Sequence, residues 1–428
     1  MIEIFVEQIS ERLIYTLDFV FHERGIEYKL NNDFLSFQNS NLPKFNYSER
    51  YFDSIPQLIP STVLFDEAVF MYSIDICMFE AEECLSFNRS IDPLASIFYV
   101  LSRMEEYTSN REDAHGRFSS KYSIQNEYNW LDKAMCDRWS VAFIRYLSGI
   151  TNTVIDIQIQ PVKIRPTFDI DNVYAYKWKQ GVRRWLSIFR DQLKRDQKRI
   201  EERKLVDSGE MIDPYDTYRY IESIVDRGFE VNMFWLLGDY AKYDKNISHS
   251  DIRHQKLIVK MNEKTTVGLH PSYKSNSYEY QVKDEKERLE FILDEKVDVS
   301  RQHFLKLKIN TTYRNLLALG FKHDFSMGYA DQVGFRSGTA RAHRWFNLDT
   351  NQITNLTIHP FVYMDGTLNE YLKLTPEESK NVIWKLHSEV SRFGGDFICV
   401  WHNETIGNYN KWSGWREVLE YTLSLKDR

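Results

Sequence analysis

From residue 160 to the C-terminus, short apolar runs alternate with longer stretches whose apolar residues recur at three- and four-residue spacing. The short runs predict strands near 162–169, 229–236, 265–269, 297–302, 320–324, 355–359 and 397–401. The longer stretches predict helices such as Tyr218–Asp226, Asp284–Glu295, Thr311–Leu319 and Pro376–Ser391. Strand–helix alternation of this kind means parallel strands joined by helical crossovers, in an open sheet or a barrel. Seven such strands predict an α/β fold, a distorted (β/α) barrel, over residues 161–428.

Residues 1–160 lack that rhythm and predict a separate, smaller α+β domain. Ile2–Val6 and Val63–Phe65 read as strands. Asp92-Pro93 is an N-cap followed by proline at the first helical position, and L-A-S-I-F-Y-V-L-S-R-M-E-E-Y continues the helix to near Tyr107. Lys133–Tyr146 is a second amphipathic stretch. Arg103, Glu105 and Glu106 read as a solvated helix face. One segment breaks the later alternation: Lys177–Lys204 holds eleven Lys/Arg against four Asp/Glu, with Trp178, Val182, Trp185, Leu186, Phe189 and Leu193 at helical spacing. A basic amphipathic helix can lie on an anionic membrane. The simpler expectation is an insertion packed on the barrel with its charges in water.

Composition narrows the function classes. A chain of 428 residues is long for one core, which agrees with two domains. A net charge of −7 gives the whole molecule no electrostatic case for nucleic-acid binding. The start M-I-E-I-F-V-E-Q carries acids where a secretion signal needs a basic end and an apolar run, and no stretch is apolar over a bilayer-spanning length. Cys77, Cys84, Cys136 and Cys399 have no paired spacing and read as free thiols in a reducing compartment. The expected location is the cytoplasm. Aromatic residues make up 15% of the chain, which suits sugar-stacking surfaces and aromatic-rich cores alike.

Barrel enzymes place their working groups where strands end, because the following loops converge there. The predicted strands end in Asp169 and Asp171; in His270, within V-G-L-H-P-S-Y; in Arg301 and His303; in His323 and Asp324; in His359; and in His402. Residues two apart on an extended strand share a face, so Asp169/Asp171 and Arg301/His303 each point together. Two carboxylates side by side repel unless a cation or a proton separates them, so one can hold a metal while the other acts as base. Histidines on neighbouring strands would complete a divalent, zinc-like ligand set.

These segments resemble the polysaccharide deacetylases, carbohydrate esterase family four, over residues 162–424. That family opens with T-F-D-D-G or F-D-x-D, and here the segment is T-F-D-I-D. The resemblance implies that Asp169 is the catalytic base and Asp171 a metal ligand. The family's H-[S/T]-x-x-H becomes H-P-S-Y-K, so His270 matches the first histidine and Lys274 stands at the second. The family's R-x-P-[Y/F] matches Arg301-Gln302-His303-Phe304, which implies that Arg301 orients the base. His303 replaces the proline and is the candidate for the missing ligand. F-I-C-V-W-H matches the last motif, which implies that His402 protonates the leaving amine.

The N-terminal half, with D-P-L-A-S-I-F-Y-V-L-S-R-M-E-E-Y and the later H-G-R-F, resembles the domain preceding such deacetylases in Bacteroidetes-type bacterial proteins. That resemblance implies no activity. Taken together, the expectation is a metal-dependent hydrolase, with zinc as cofactor, that removes acetyl groups from an N-acetylated saccharide. Tyr273 and Trp401 are the candidate substrate-binding aromatics, with Trp412 and Trp415 beside them in sequence. Lys274 at a ligand position favours the main alternative, a silent saccharide-binding or scaffolding relative. A related hydrolase of another non-peptide carbon–nitrogen bond is the third reading.

Overall fold

The computed structural model describes residues 1–179, 181–193 and 195–427, with the side chains of 181–183, 186, 187, 190, 277, 279 and 427 outside that description. Among the described residues fifteen strands form three sheets. Strands β1 (Ile2–Phe5), β2 (Tyr28–Asn31) and β3 (Lys44–Asn46) make a small parallel sheet, and β4 (Ile74–Phe79), β5 (Glu82–Phe87) and β6 (Ser90–Ile91) an antiparallel one. The remaining nine are β7 (Lys163–Ile170), β8 (Asn232–Trp235), β9 (Thr266–Leu269), β10 (Val299–Ser300), β11 (His323–Asp324), β12 (His343–Asn347), β13 (Gln352–Ile358), β14 (Phe361–Met364) and β15 (Asp396–His402).

These nine form one sheet in the order β12-β13-β11-β10-β9-β8-β7-β15-β14, parallel except for the β12–β13 hairpin. Side chains from β8, β10, β14 and β15 meet in one apolar cluster (Phe234, Val299, Phe361, Ile398, Val400), so the sheet curls strongly. Among the described residues no ladder joins β12 to β14. The sheet therefore has nine strands where seven were expected, and it is strongly curled. The two extra strands escape the sequence pattern for physical reasons. β14 is four residues long and follows His359-Pro360 directly, and β12 folds back as a hairpin instead of crossing over a helix.

Local chemistry accounts for the framework. β7 lies between β8 and β15 and reads as a nearly unbroken buried run, as a strand covered on both faces should. At Gly268 in β9 a Cβ would meet the Phe234 ring and the Val299 carbonyl oxygen at 2.9 Å, so only glycine lets the strands curl this tightly. Thr375 and Glu378 form a capping box ahead of Pro376–Phe393, which packs behind β15.

The N-terminal part departs from expectation in three places. Thr62–Leu64 is a 3-10 turn and not a strand. The helix that starts at Asp92, whose carboxylate accepts from Leu94 N and Ala95 N, stops at Leu101, because Arg103 takes a left-handed φ of 58° before Met104–Thr108. Arg103, Glu105 and Glu106 are not a solvated face. Arg103 is 1% exposed and pairs with both glutamates, and Glu106 in turn holds Arg336 of the C-terminal part.

The basic segment forms two helices, Gly181–Leu193 and Gln197–Ser208. Trp178 packs on the core, but Trp185, Phe189 and Leu193 are 74%, 62% and 74% exposed, so this apolar stripe faces outward and not onto the sheet. The Val182 and Leu186 side chains lie outside the described set. No helix among the described residues is long and apolar enough to cross a membrane.

Candidate metal centre

Strand register assembles the site. Asp169 lies opposite His402 on β15 and opposite Phe234 on β8. Trp235 pairs with Leu269, and Leu269 with Ser300, so His270 and Arg301 leave their strands at the same level as the two aspartates. Four strand ends thus deliver Asp169, Asp171, His270, Arg301, His303 and His402 to one place.

Asp171, His270 and His303 bring one ligand atom each within 4.8 Å of one another. Asp171 Oδ1 is 3.2 Å from His270 Nε2, and its Oδ2 is 3.3 Å from His303 Nε2. Each histidine is oriented from behind. His270 Nδ1 lies 2.6 Å from the Arg301 carbonyl oxygen, which only accepts, so Nδ1 donates there and Nε2 is turned toward Asp171. His303 Nδ1 donates to Asp244 at 2.9 Å. A partner behind each imidazole is the arrangement that fixes tautomer and ring direction in metal sites.

The electrostatics call for a cation. Asp171 Oδ1 is buried with no hydrogen-bond partner. Burial pushes the Asp171 carboxyl up, yet His303, His270 and His402 outweigh it and hold the group well below the usual carboxylate range. Burial likewise lowers the His303 imidazole, but Asp171 and Asp244 carry it up to about 9. Without a metal, a proton on His303 balances the carboxylates. A divalent ion would take that proton's place. The three donors, two nitrogens and one carboxylate oxygen, fit a zinc-like ion.

Around this trio stand the other groups. Arg301 donates from Nη1 to Asp169 Oδ1 at 2.9 Å and from Nε to the Phe325 carbonyl at 3.0 Å, with its guanidinium over the Phe234 ring. Asp169 Oδ2 is 3.7 Å from His270 Nε2. His402 Nε2 is 3.9 Å from Asp171 Oδ2, and its Nδ1 lies 2.9 Å from Asp365. Burial lowers the His402 imidazole, and the Asp365 contact more than reverses this, setting it well above the ordinary histidine value. Glu404, beside Asp171, is raised by burial and by that neighbouring carboxylate.

Several sequence expectations need correction. Trp401 is fully buried against Tyr363, so it is core and cannot stack on a substrate, and Trp412 and Trp415 are buried against each other. Tyr273 keeps a half-exposed ring. Lys274 is exposed and lines a separate groove with Asp239 and Asp284, so its side chain is not held in the trio. His323 and His359 pair with each other at 3.0 Å outside the trio. Asp324 is buried under Ser300 and Ser326, and burial pushes it to about 6.

Two supporting acids were not foreseen. Asp244 comes from the irregular stretch after β8, which has no periodic signal. Asp365 follows β14, the short strand that the pattern missed, although Asp-Gly after an apolar run was the available cue.

Residues 2–152 match the model of a family of unknown function, DUF7033. No curated protein matches the chain. Among solved structures, a putative polysaccharide deacetylase from Mycobacterium smegmatis is similar at 13% identity, with 63% of this chain and 90% of that one covered and a TM-score of 0.38. A polysaccharide deacetylase from Bacillus cereus is similar at 11% identity over 63% and 88% of the two chains, with a TM-score of 0.32. The PuuE allantoinase is similar at 11% identity over 62% and 84%, with a TM-score of 0.35.

Proposed function

We propose that the protein is a divalent-metal-dependent hydrolase of a carbon–nitrogen bond, and that it removes the acetyl group from an N-acetylated saccharide. The observation that carries this reading is the convergence of Asp171, His270 and His303 on one point, beside a second aspartate held by Arg301. The curled sheet is read as a distorted barrel left open between β14 and β12.

Asp171, His270 and His303 would hold the ion, with zinc the best match to the donor set. When bound, it supplies Lewis acidity toward a carbonyl oxygen and lowers the pKa of water. Asp169, with one oxygen tied to Arg301, keeps the other for the proton of the attacking water. His402 gives its Nε2 proton to the departing amine, while Asp365 on Nδ1 holds the ring and stabilises its charged form. The bond broken is the amide C–N bond; the products are acetate and an amino sugar.

The His303 side chain takes the role that Lys274 leaves open, which weighs against a silent relative. The deciding experiment is acetate release from a panel of N-acetylated saccharides, with and without added zinc. Asp169→Asn should lower the rate by about 10²–10⁴. Release that needs no metal and survives this substitution would refute the mechanism.

A further inference from the structure

The H-G-R-F motif of the N-terminal part has no place in the chemistry above, yet it lies against the metal centre. His115 packs its ring on Phe304 at 5.2 Å, Tyr243 at 5.7 Å and Tyr273 at 5.8 Å between centroids. Phe304 is 4.8 Å from His303, and His303 is 5.0 Å from His270. The line of rings thus begins in the N-terminal part and ends at the ligand trio. All four rings of the outer cluster stay partly exposed, whereas rings serving only as core packing, such as Tyr313 or Trp401, are fully buried.

The loop is built to stay there. Asp113 accepts from the backbone N–H groups of His115 and Arg117 and from Arg117 Nε. Gly116, at φ 74°, closes the turn. Buried Arg117 then reaches across, donating from Nη1 to the Phe304 carbonyl at 2.9 Å and from Nη2 to the Tyr371 hydroxyl at 3.2 Å. Phe304 and Leu305 both have positive φ, 60° and 51°, a conformation that side chains of this size rarely adopt. Arg117 therefore clamps a strained turn directly after His303, and that turn presents the Phe304 ring beside His115. Ser119, bonded to Asp331, anchors the far end.

We propose that this N-terminal loop forms one wall of the substrate cleft, with His115 and Phe304 as a platform for a pyranose ring of the saccharide. The C–H face of such a ring is apolar and slightly positive, and it complements the negative face of an aromatic ring. Burial, together with Arg117, lowers the His115 imidazole. Lys306, over the Tyr273 ring, and Lys242, over Tyr243, add cationic edges for sugar oxygens. The inference rests on the deacetylase reading of the adjoining site.

The test is calorimetric binding of tri-N-acetylchitotriose to the full chain, with zinc content and thermal midpoint measured in parallel. His115→Ala should weaken binding about tenfold and raise KM for acetate release more than it lowers kcat, with zinc content unchanged. His115→Phe, which keeps a flat ring, should stay within about threefold of wild type. If His115→Ala does not fold, His115→Asn serves, with the same tenfold weakening expected. Equal binding by wild type and the ring-less variants, no binding by wild type, or equal loss in His115→Phe would each overturn the platform. Wild type that binds through His115 but releases no acetate would instead sink the deacetylase reading and leave the subsite standing.

Discussion

Two of the buried polar clusters among the described residues are built on opposite principles. In the first, Arg103 donates to Glu105, Glu106, Gln125 and Tyr329, and Arg336 donates to Glu106 and the Gly328 carbonyl. Two arginines meet two glutamates, and none of their buried atoms lacks a partner. In the second, Asp169 pairs with Arg301 while Asp171 faces His270 and His303, and Asp171 Oδ1 and Arg301 Nη2 are left without hydrogen bonds. A closed network makes a joint, because every charge is spent on another part of the chain. An open one keeps valence for something that is not protein. The contrast lies in partnering and not in burial, since both clusters are buried.

The comparison can be broken most directly at His303. His303→Ala should abolish zinc binding, measured by metal analysis after dialysis; unchanged zinc content would mean that the open cluster is open for another reason. The closed cluster should behave in the reverse way. Arg103→Met leaves a buried carboxylate uncompensated and should cost about 3–5 kcal/mol in chemical denaturation. Zinc stoichiometry of the folded variant should not change, and a metal-deficient Arg103→Met protein would show that the two clusters are one unit.

Asp244 sharpens the second half of the contrast. Asp244→Asn keeps the shape behind His303 but weakens the acceptor, so zinc affinity should fall about 10–100-fold in a competitive chelator titration. The unfolding midpoint should move little. The smallest effect concerns Glu285, a buried carboxylate that accepts from Ser272 N and Oγ beside the metal centre. Burial raises it from 4.5 to about 7. The folded state then holds this proton more tightly than the unfolded chain, so its contribution to stability falls as pH rises from 4.5 toward 7. Glu285→Gln should flatten that part of the stability–pH curve, and an unaltered slope would remove Glu285 from the account.

How much of this was legible beforehand differs between the clusters for the same physical reason. Asp169 and Asp171 were readable as a pair because an extended strand repeats every two residues, whatever it packs against. His270, Arg301 and His402 were readable because a parallel sheet brings its strand ends to one level. Arg103 was misread as solvated, because helical periodicity reports which residues share a face and not what covers it. Trp401 was misread as a sugar contact because closeness in sequence to His402 says nothing about which side of β15 the indole takes.

The sequence by itself determined the strand–helix alternation, the two-residue phase of the aspartates and the chemical types available at the strand ends. These depend on backbone geometry and composition, which are local. Tertiary structure alone decided that the sheet has nine strands and curls, that Asp244 and Asp365 back the histidines, and that an N-terminal loop reaches Phe304. Each of these joins residues many positions apart, and such contacts follow from how the sheet packs and not from any local repeat.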